Sequence, residues 1–320
     1  MNVLIVKMSS MGDIIQTLPA LTDAQTAIRD ITFDWVVEEA FSEIPTWHSS
    51  MQQTIPIAWR RWRKNLLTVF FNKEWRQFHQ LLRERKYDYI IDAQGLLKSA
   101  LVTRMTRGIR CGYDRQSARE SLAVLAYEKT FNSNKVKHQM TRTRQLFAAI
   151  LGYDFVPEKV DYGIKPSIAP ISSITLPEKY AIFIVNTSKK EKRWVKEHWH
   201  QLLTNMETAK QPVIIPCGHQ HEEAYAQSIG KGFTNVTLLS QTTLQQLRDI
   251  IAQSQVVVSV DTGLAHLAAA LDKPTIILYG PTDVAQFGTV GKQQVHLHNQ
   301  PQELNIPAED VWKRLQHLLF

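Results

Sequence analysis

Short apolar segments alternate with amphipathic helical patterns along most of the 320-residue chain. The segment Val256–Val260 is almost continuously apolar, as expected of a strand that is buried on both faces of a sheet. Regular alternation of strands and helices favours parallel sheets. The predicted strands are Val3–Val6, Ile31–Val37, Tyr87–Asp92, Ile109–Gly112, Ala181–Val185, Pro212–Pro216, Val236–Leu239, Val256–Val260 and Thr275–Tyr279.

A proline-rich segment divides this pattern into two halves. Four of the thirteen prolines lie at positions 157, 166, 170 and 177, and the strand–helix pattern begins again at Ala181. We therefore expect an N-terminal domain over residues 1–160, a linker over 161–178, a C-terminal domain over 179–305 and a terminal helix over 306–320 that could pack back toward the N-terminal domain. Each domain is predicted to be a doubly wound, parallel-sheet, Rossmann-like α/β unit, with the two facing a central cleft in which ligands bind.

The excess positive charge lies in the N-terminal half. Residues 1–160 contain 23 Lys and Arg against 16 Asp and Glu, whereas residues 161–320 contain 14 of each. The excess is largest between Ala58 and Arg119, with 15 basic and 5 acidic residues. The segment Trp59–Lys64 combines four cations with two tryptophans. This favours binding of an anionic partner (nucleic acid, an acidic lipid headgroup or an anionic sugar) over a merely solubilising surface.

Several classes of protein are disfavoured by what the sequence lacks. No window approaches the roughly 18 apolar residues of a membrane-spanning helix, and the first apolar run is too short for a signal peptide. Cys111 and Cys217 are far apart, which disfavours a disulfide scaffold and favours a cytoplasmic location. The glycine motif of dinucleotide-binding folds, the nucleophile elbow of hydrolases and the Asp-x-Asp metal motif of many nucleotide-sugar enzymes do not occur.

Two loops at predicted strand ends carry side chains suited to catalysis or phosphate binding. In Ser9–Asp13, Gly12 permits close approach of a ligand, and Asp13 can point into the cleft. A carboxylate at a helix start is, however, also favoured as a simple cap. In Thr187–Trp194, hydroxyls precede several cations, as in a diphosphate-binding loop or in a solvated charged loop.

A third loop, Ser259–His266, follows the strand Val256–Val260. Backbone N–H groups at the predicted helix start, at Thr262 and Gly263, could bind an anion, with His266 one turn further on. The alternative is that Asp261 caps the helix and the histidine faces the core.

A fourth loop carries Glu222, which could accept hydrogen bonds from ribose hydroxyls or lie at a solvated helix start. His219 and His221 are spaced for a strand rather than a helix, and no third ligand is near. We therefore predict no metal site.

Together these segments resemble the bacterial lipopolysaccharide heptosyltransferases of glycosyltransferase family nine. Each motif is weak alone, but they occur in order over nearly the whole chain. The matching segments are Val3–Lys7, Ser9–Asp13, Thr17–Ala20, Phe33–Glu39, Ile91–Gly95, Val258–Gly263 and Tyr279–Asp283.

The resemblance implies a GT-B fold and transfer of L-glycero-D-manno-heptose from ADP-heptose to a Kdo residue of Kdo2-lipid A, with inversion and without a metal or other cofactor. It implies that Asp13 is the general base. Donor contacts would come from Thr187, Ser188, Lys192, Glu222, Asp261, Thr262, Gly263 and His266. Acceptor contacts would come from Ser10, Gly12, Arg60, Arg61, Arg63, Lys64 and Arg119.

The anionic acceptor would place the enzyme peripherally on the cytoplasmic face of the inner membrane. Alternatives remain. A related enzyme could add a later core heptose, and a non-catalytic protein could bind a nucleotide or phosphoglycan with similar loops. A nucleic-acid binder is disfavoured because no recognition motif is found. The oligomeric state is not predicted.

Overall fold

The computed structural model describes residues 1–64, 72–133, 138–164, 174–218, 220–240, 242–298 and 304–319, without the side chains of Gln220 and His221. The chain divides into two compact units, Met1–Lys165 and Pro166–Phe320. This division falls inside the segment 161–178 that the sequence suggests as a linker, of which residues 165–173 lie outside the described residues.

The first unit is built on a six-stranded parallel sheet with strand order β3-β2-β1-β4-β5-β6. Its strands are β1 (Asn2–Val6), β2 (Thr32–Glu38), β3 (Met51–Ile57), β4 (Tyr89–Asp92), β5 (Ile109–Tyr113) and β6 (Lys129–Phe131). Its helices are α1 (Met11–Ile15), α2 (Leu18–Ala27), α3 (Trp59–Trp62), α4 (Lys73–Glu84), α5 (Leu97–Arg104) and α6 (Gln139–Leu151), with 3₁₀ helices at Glu39–Phe41, Pro45–Trp47 and Ser121–Ala126.

Strand β1 is the centre of this unit because it pairs with β2 on one side and β4 on the other. Its residues Val3–Val6 are almost completely buried, as expected for an inner strand with helices on both faces. After β1 the chain adds β2 and β3 on one side of it, and then adds β4, β5 and β6 on the other side. The carboxyl ends of β1 and β4 therefore border a topological switch point, where open α/β sheets bind ligands.

The second unit repeats this plan in the strand order β12-β11-β10-β7-β8-β9. Its strands are β7 (Ala181–Ile184), β8 (Val213–Cys217), β9 (Val236–Ser240), β10 (Val256–Val260), β11 (Thr275–Tyr279) and β12 (Gln294–His298). Its helices are α7 (Lys196–Thr208), α8 (Gln220–Gly230), α9 (Leu244–Gln253), α10 (Gly263–Ala270), α11 (Val284–Phe287) and α12 (Ala308–Leu319), with a 3₁₀ helix at Lys190–Lys192. Here the switch point lies between β7 and β10.

The core of the second unit includes the C-terminal helix α12. The sequence leaves open a return of this helix toward the N-terminal domain, whereas its buried residues Val311 and Leu315 belong to the core of the second unit. The indole N–H of Trp194 donates to the backbone carbonyl of Ile306 at 2.8 Å, which ties the segment before the helix to the same core. No helix in the described part of the chain is long and apolar enough to cross a membrane.

The predicted α/β class is confirmed, and each predicted strand is present. Three strands were not predicted, namely β3, β6 and β12, and all three lie at sheet edges. The basic stretch that begins at Ala58 contains the separate helices α3 and α4, and residues 65–71 between them lie outside the described residues.

Candidate active site

Asp13 lies in the first turn of α1, directly beyond the carboxyl end of β1. The backbone N–H and the hydroxyl of Ser10 both donate to its Oδ2 at 2.9 Å. Asp13 therefore does cap the start of α1, which is the alternative role that the sequence suggested for it. Only one carboxylate oxygen is used in this way, and the side chain remains 15% exposed, with Oδ1 at 3.6 Å from an Nη of Arg119. Gly12 is buried beside it.

The surroundings of Asp13 keep its carboxyl ionised. Burial alone raises the pKa of this group, but the positive charges of Lys7 and Arg119 and the two hydrogen bonds from Ser10 outweigh burial, and the net pKa is lowered. Asp13 is thus a carboxylate near neutral pH, available to accept a proton or to orient a hydroxyl, although a low pKa weakens it as a base.

A buried network supports this loop, and sequence reasoning gave its members no role. Lys7 is completely buried, and its ammonium group donates to the carbonyl of Ala93 at 3.0 Å. Asp92, at the end of β4, accepts a 2.7 Å hydrogen bond from the Tyr127 hydroxyl. Gln94 accepts from the backbone N–H of Met8 at 2.8 Å. The sequence shows the segment Ile91–Gly95 only as a motif, because its contacts with Lys7 and Met8 join residues 86 positions apart.

Of the predicted acceptor residues, Ser10, Gly12 and Arg119 surround Asp13, while the others lie on and after α3. The backbone N–H of Arg60 donates to the buried carboxylate of Glu38 at 3.0 Å, and the Arg60 guanidinium lies over the ring of Phe41. Arg61 forms ion pairs with Glu39 at 3.1 Å and Glu74 at 2.8 Å. Arg61 is therefore the predicted cation least available to an acceptor.

Arg63 and Lys64 are exposed at the end of α3. Lys98 on α5 connects this basic segment to the Asp13 loop, because its ammonium group lies 3.3 Å from the hydroxyl of Ser9. Burial is the largest cause that lowers the pKa of Lys98. The charge of Glu38 opposes this effect, and the charges of Arg60 and Arg63 lower the pKa further. Lys98, Arg60 and Arg63 are therefore close enough to contribute positive charge to the same part of the first unit, beside the Asp13 loop. Lys98 was missed because an isolated lysine in an amphipathic helix carries no sequence signal.

In the second unit, two of the predicted donor residues, Thr187 and Lys192, contact a third, Asp261, at the end of β10. The Lys192 ammonium group lies 2.5 Å from Asp261 Oδ2, and the Thr282 hydroxyl donates to the same oxygen. The Thr187 hydroxyl donates to the Asp261 backbone carbonyl at 3.1 Å. Loops after β7, β10 and β11 thus meet at the switch point. Sequence reasoning noted Thr282 only within a motif.

Asp261 does not cap α10, contrary to the alternative considered from the sequence. The N-cap residue is Thr262, its side chain makes no capping hydrogen bond, and Gly263 begins the helix. The first backbone N–H groups of α10 are thus free of a side-chain cap, as an anion site at a helix start requires. His266 is buried within α10, one turn from its start.

Ser188 and Glu222 lie nearby but are placed differently. Ser188 is exposed after β7. The Glu222 carboxylate accepts the backbone N–H of Gly218 at 2.9 Å, and its carbonyl accepts from Asn186 at 3.3 Å. Glu222 therefore holds its loop together, and in the described part of the chain only one of its carboxylate oxygens is used for this. Among the described residues no cluster of three or more His, Cys, Asp or Glu could hold a metal; His219 lies outside them.

Comparisons with known proteins agree with this geometry. The sequence model of glycosyltransferase family 9 (heptosyltransferase) matches residues 75–314. The chain belongs to this family. It is 44% identical to lipopolysaccharide heptosyltransferase 1 of Escherichia coli K12 over 99% of this chain and 100% of that protein. It is 46% identical to lipopolysaccharide heptosyltransferase 1 of Pseudomonas aeruginosa over 93% of this chain and 83% of that protein.

Solved heptosyltransferase structures are also similar to this chain. The chain superposes on E. coli heptosyltransferase WaaC with ADP with a TM-score of 0.92, at 42% identity over 99% of this chain and 100% of that chain. The complex of WaaC with ADP-2-deoxy-2-fluoro heptose gives a TM-score of 0.89 at 41% identity, over 99% of both chains. The resemblance identified from the sequence motifs is confirmed, and the protein is a glycosyltransferase.

Proposed function

We propose that this family 9 glycosyltransferase transfers L-glycero-D-manno-heptose from ADP-heptose to a Kdo residue of Kdo2-lipid A, with inversion and without a metal or other cofactor. The observation that carries the proposal is the ionised, partly exposed Asp13 carboxylate at the switch point of the first unit. The donor is supported by the relatives named heptosyltransferase 1 and by the WaaC complexes with ADP and an ADP-heptose analogue.

In this mechanism Asp13 takes the proton of the acceptor hydroxyl as that oxygen attacks the anomeric carbon. Its low pKa makes it a weak base in the free enzyme. Binding of an anionic acceptor to the Arg119 guanidinium would weaken the attraction between Arg119 and the Asp13 carboxylate. That attraction is one of the causes that lower the Asp13 pKa. The base would then become stronger when the acceptor is bound. Exclusion of water would act in the same direction.

The second unit would stabilise the leaving diphosphate. Lys192, the hydroxyls of Thr187 and Ser188 and the uncapped start of α10 at Gly263 are cations or donors fixed in advance. Such groups stabilise developing negative charge strongly in a site from which water is excluded. The ion pair with Asp261 holds Lys192 in place before the donor binds. With these groups offsetting the charge, the reaction needs no metal from the protein.

The acceptor and the location of the enzyme follow from the first unit. Its excess cations (Arg60, Arg63, Lys64, Lys98 and Arg119) suit the phosphates of lipid A and the carboxylates of Kdo. We propose that the protein works at the cytoplasmic face of the inner membrane, and that Glu222 and His266 contact the donor.

The test is mass-spectrometric detection of heptose transfer to purified Kdo2-lipid A, with ADP-heptose compared to UDP-heptose. We expect one added heptose from the ADP donor and little from the UDP donor. A second acceptor that already carries the first heptose separates the alternatives. Transfer only to that acceptor would identify an enzyme of a later step. Binding of ADP without transfer to either acceptor would indicate that the protein is a non-catalytic binding protein.

A further inference from the structure

The first unit exposes four leucines on two neighbouring helices. Leu97 and Leu101 on α5 are 50% and 47% exposed, and Leu122 and Leu125 on the 3₁₀ helix Ser121–Ala126 are 57% and 76% exposed. Elsewhere in the described residues, the large apolar side chains with comparable exposure are those of Met1, Val156 and Val195. Contiguous exposed apolar surface on a soluble domain marks an interaction site more often than chance.

The spacing of these leucines puts them on outward faces. Leu97 and Leu101 are four residues apart on an α-helix and share one side of it. Leu122 and Leu125 are three residues apart on a 3₁₀ helix, where such residues stack above each other. The two helices pack through small residues on their inner sides, the buried Ala100, Ala123 and Ala126.

A hollow of about 460 Å³ opens beside this face. Its lining is largely apolar but includes one cation and one carboxylate. The lining residues are Trp59, Leu96, Leu97, Lys98, Leu101 and Glu120. The exposed Arg104 lies three residues after Leu101 and therefore on the same side of α5. The charges of Glu38 and Glu120 and those of Arg60 and Arg63 all act on Lys98 in the lining.

Leucines flanked by cations, with a half-buried tryptophan at the edge, form a surface that fits an anionic lipid bilayer. Apolar side chains gain by entering the acyl boundary, and cations gain by meeting acidic headgroups. Tryptophan favours that same depth. The surrounding cations favour an acidic partner, and an anionic membrane supplies an apolar interior and negative headgroups together.

We propose that the α5 and Ser121–Ala126 face, with leucines 97, 101, 122 and 125, is the surface by which this enzyme docks on an anionic membrane. This inference rests on the proposed function, because a lipid acceptor must be reached at the bilayer. The Asp13 loop joins this face through Lys98, which contacts Ser9. Docking here would therefore present an acceptor headgroup to the basic segment beside the catalytic loop while its acyl chains stay in the membrane.

The test compares the full-length protein with the variant Leu122→Ser/Leu125→Ser by co-sedimentation with phosphatidylglycerol-rich vesicles and with pure phosphatidylcholine vesicles. These two leucines do not line the hollow, and they contribute little to the core. The control variant Val156→Ser/Val195→Ser removes two exposed apolar side chains outside the proposed face. Melting temperatures of all three proteins confirm that each is folded.

We expect the leucine variant to bind the acidic vesicles at least about tenfold more weakly than the parent and the valine control. Its turnover of acylated acceptor in vesicles should fall, and its turnover of an acceptor freed of acyl chains should be unchanged. Equal vesicle binding by variant and parent overturns the proposal, whatever happens to turnover. A parent dimer that the substitutions dissociate, with vesicle binding unchanged, overturns it in favour of a second copy.

The vesicle measurement does not depend on catalysis. If no protein transfers heptose to either acceptor, the proposed function fails, while the loss or retention of vesicle binding still decides the docking surface. If transfer is normal and vesicle binding is unchanged, the docking proposal fails alone.

Discussion

Replacing Arg119 with glutamine should move the acidic limb of the pH–activity profile to higher pH. The guanidinium lies 3.6 Å from Asp13 and is 38% exposed. Two unit charges at that distance interact by about 1 kcal/mol in the dielectric of water. Because the Arg119 side chain is in contact with solvent, the interaction energy in water is the appropriate value to use. An energy of about 1 kcal/mol corresponds to a shift of somewhat less than one pH unit.

The direction follows from the lowered pKa of Asp13. Its carboxylate is the active form, so activity is present above its pKa in the folded protein and is lost as the pH falls through that value. Without the positive charge of Arg119 the pKa rises, and activity is lost at a higher pH. The same loss removes part of the stability that the ionised carboxylate contributes above its pKa in the unfolded chain.

The assay is kcat/KM for the acceptor across the acidic range, since this quantity reports groups of the free enzyme. Arg119→Lys is the matched control, because it keeps the charge. We expect the glutamine variant to shift the limb upward by up to about one pH unit and the lysine variant to shift it much less. Loss of an acceptor contact alone would lower activity equally at all pH values. An unmoved limb in the glutamine variant, or equal shifts in both variants, would refute the reasoning.

Three further changes test other parts of the structure. Lys192→Ala should weaken ADP binding by calorimetry and lower kcat, whereas Lys189→Ala, which removes an exposed lysine of the same loop, should do neither; equal effects would contradict the assignment. Replacing the three arginines of Arg60–Lys64 with alanine should raise the acceptor KM and spare ADP affinity, and a parallel loss of both would indicate general electrostatics. Gly112→Ala brings a Cβ to 2.4 Å from the Tyr127 ring. We expect the free energy of unfolding in urea to fall by about 1–3 kcal/mol. An unchanged free energy of unfolding would show that the ring moves away freely.

Inner strands such as β1, β7 and β10 could be predicted from the sequence because burial on both faces makes them almost continuously apolar. The three strands that were missed are edge strands, which tolerate polar residues and proline. Strand β3 (Met51–Ile57) contains three polar residues and Pro56, β6 (Lys129–Phe131) has only three residues, and β12 (Gln294–His298) alternates polar and apolar residues. Their pairing partners, not their own composition, determine their conformation.

The site divides in the same way. The positions of Asp13 and of the loop that carries Lys192 could be predicted because each follows an apolar strand. The ion pair of Lys192 with Asp261 and the shared contact from Thr282 could not be found, because these residues are 21 to 69 positions apart and meet only when three strand ends are aligned. Buried Lys7 was also missed, since a lysine at a strand end is usually exposed.

The same limit applies to the charge of the basic segment. The sequence does not distinguish its cations, but the structure pairs Arg61 with Glu39 and Glu74. The acidic partners lie on other elements and become neighbours only in the folded unit. A count of charges therefore predicts an anionic partner without predicting which cations reach it.

The central claim is that the Asp13 carboxylate is the base of a heptosyl transfer. The most direct measurement is the rate of heptose transfer from ADP-heptose to Kdo2-lipid A by Asp13→Asn, alongside ADP-heptose binding by calorimetry. Removal of a general base should lower the rate by about 10²–10⁴-fold and leave donor binding near that of the parent. A folded Asp13→Asn protein that transfers heptose at close to the parent rate would contradict the mechanism.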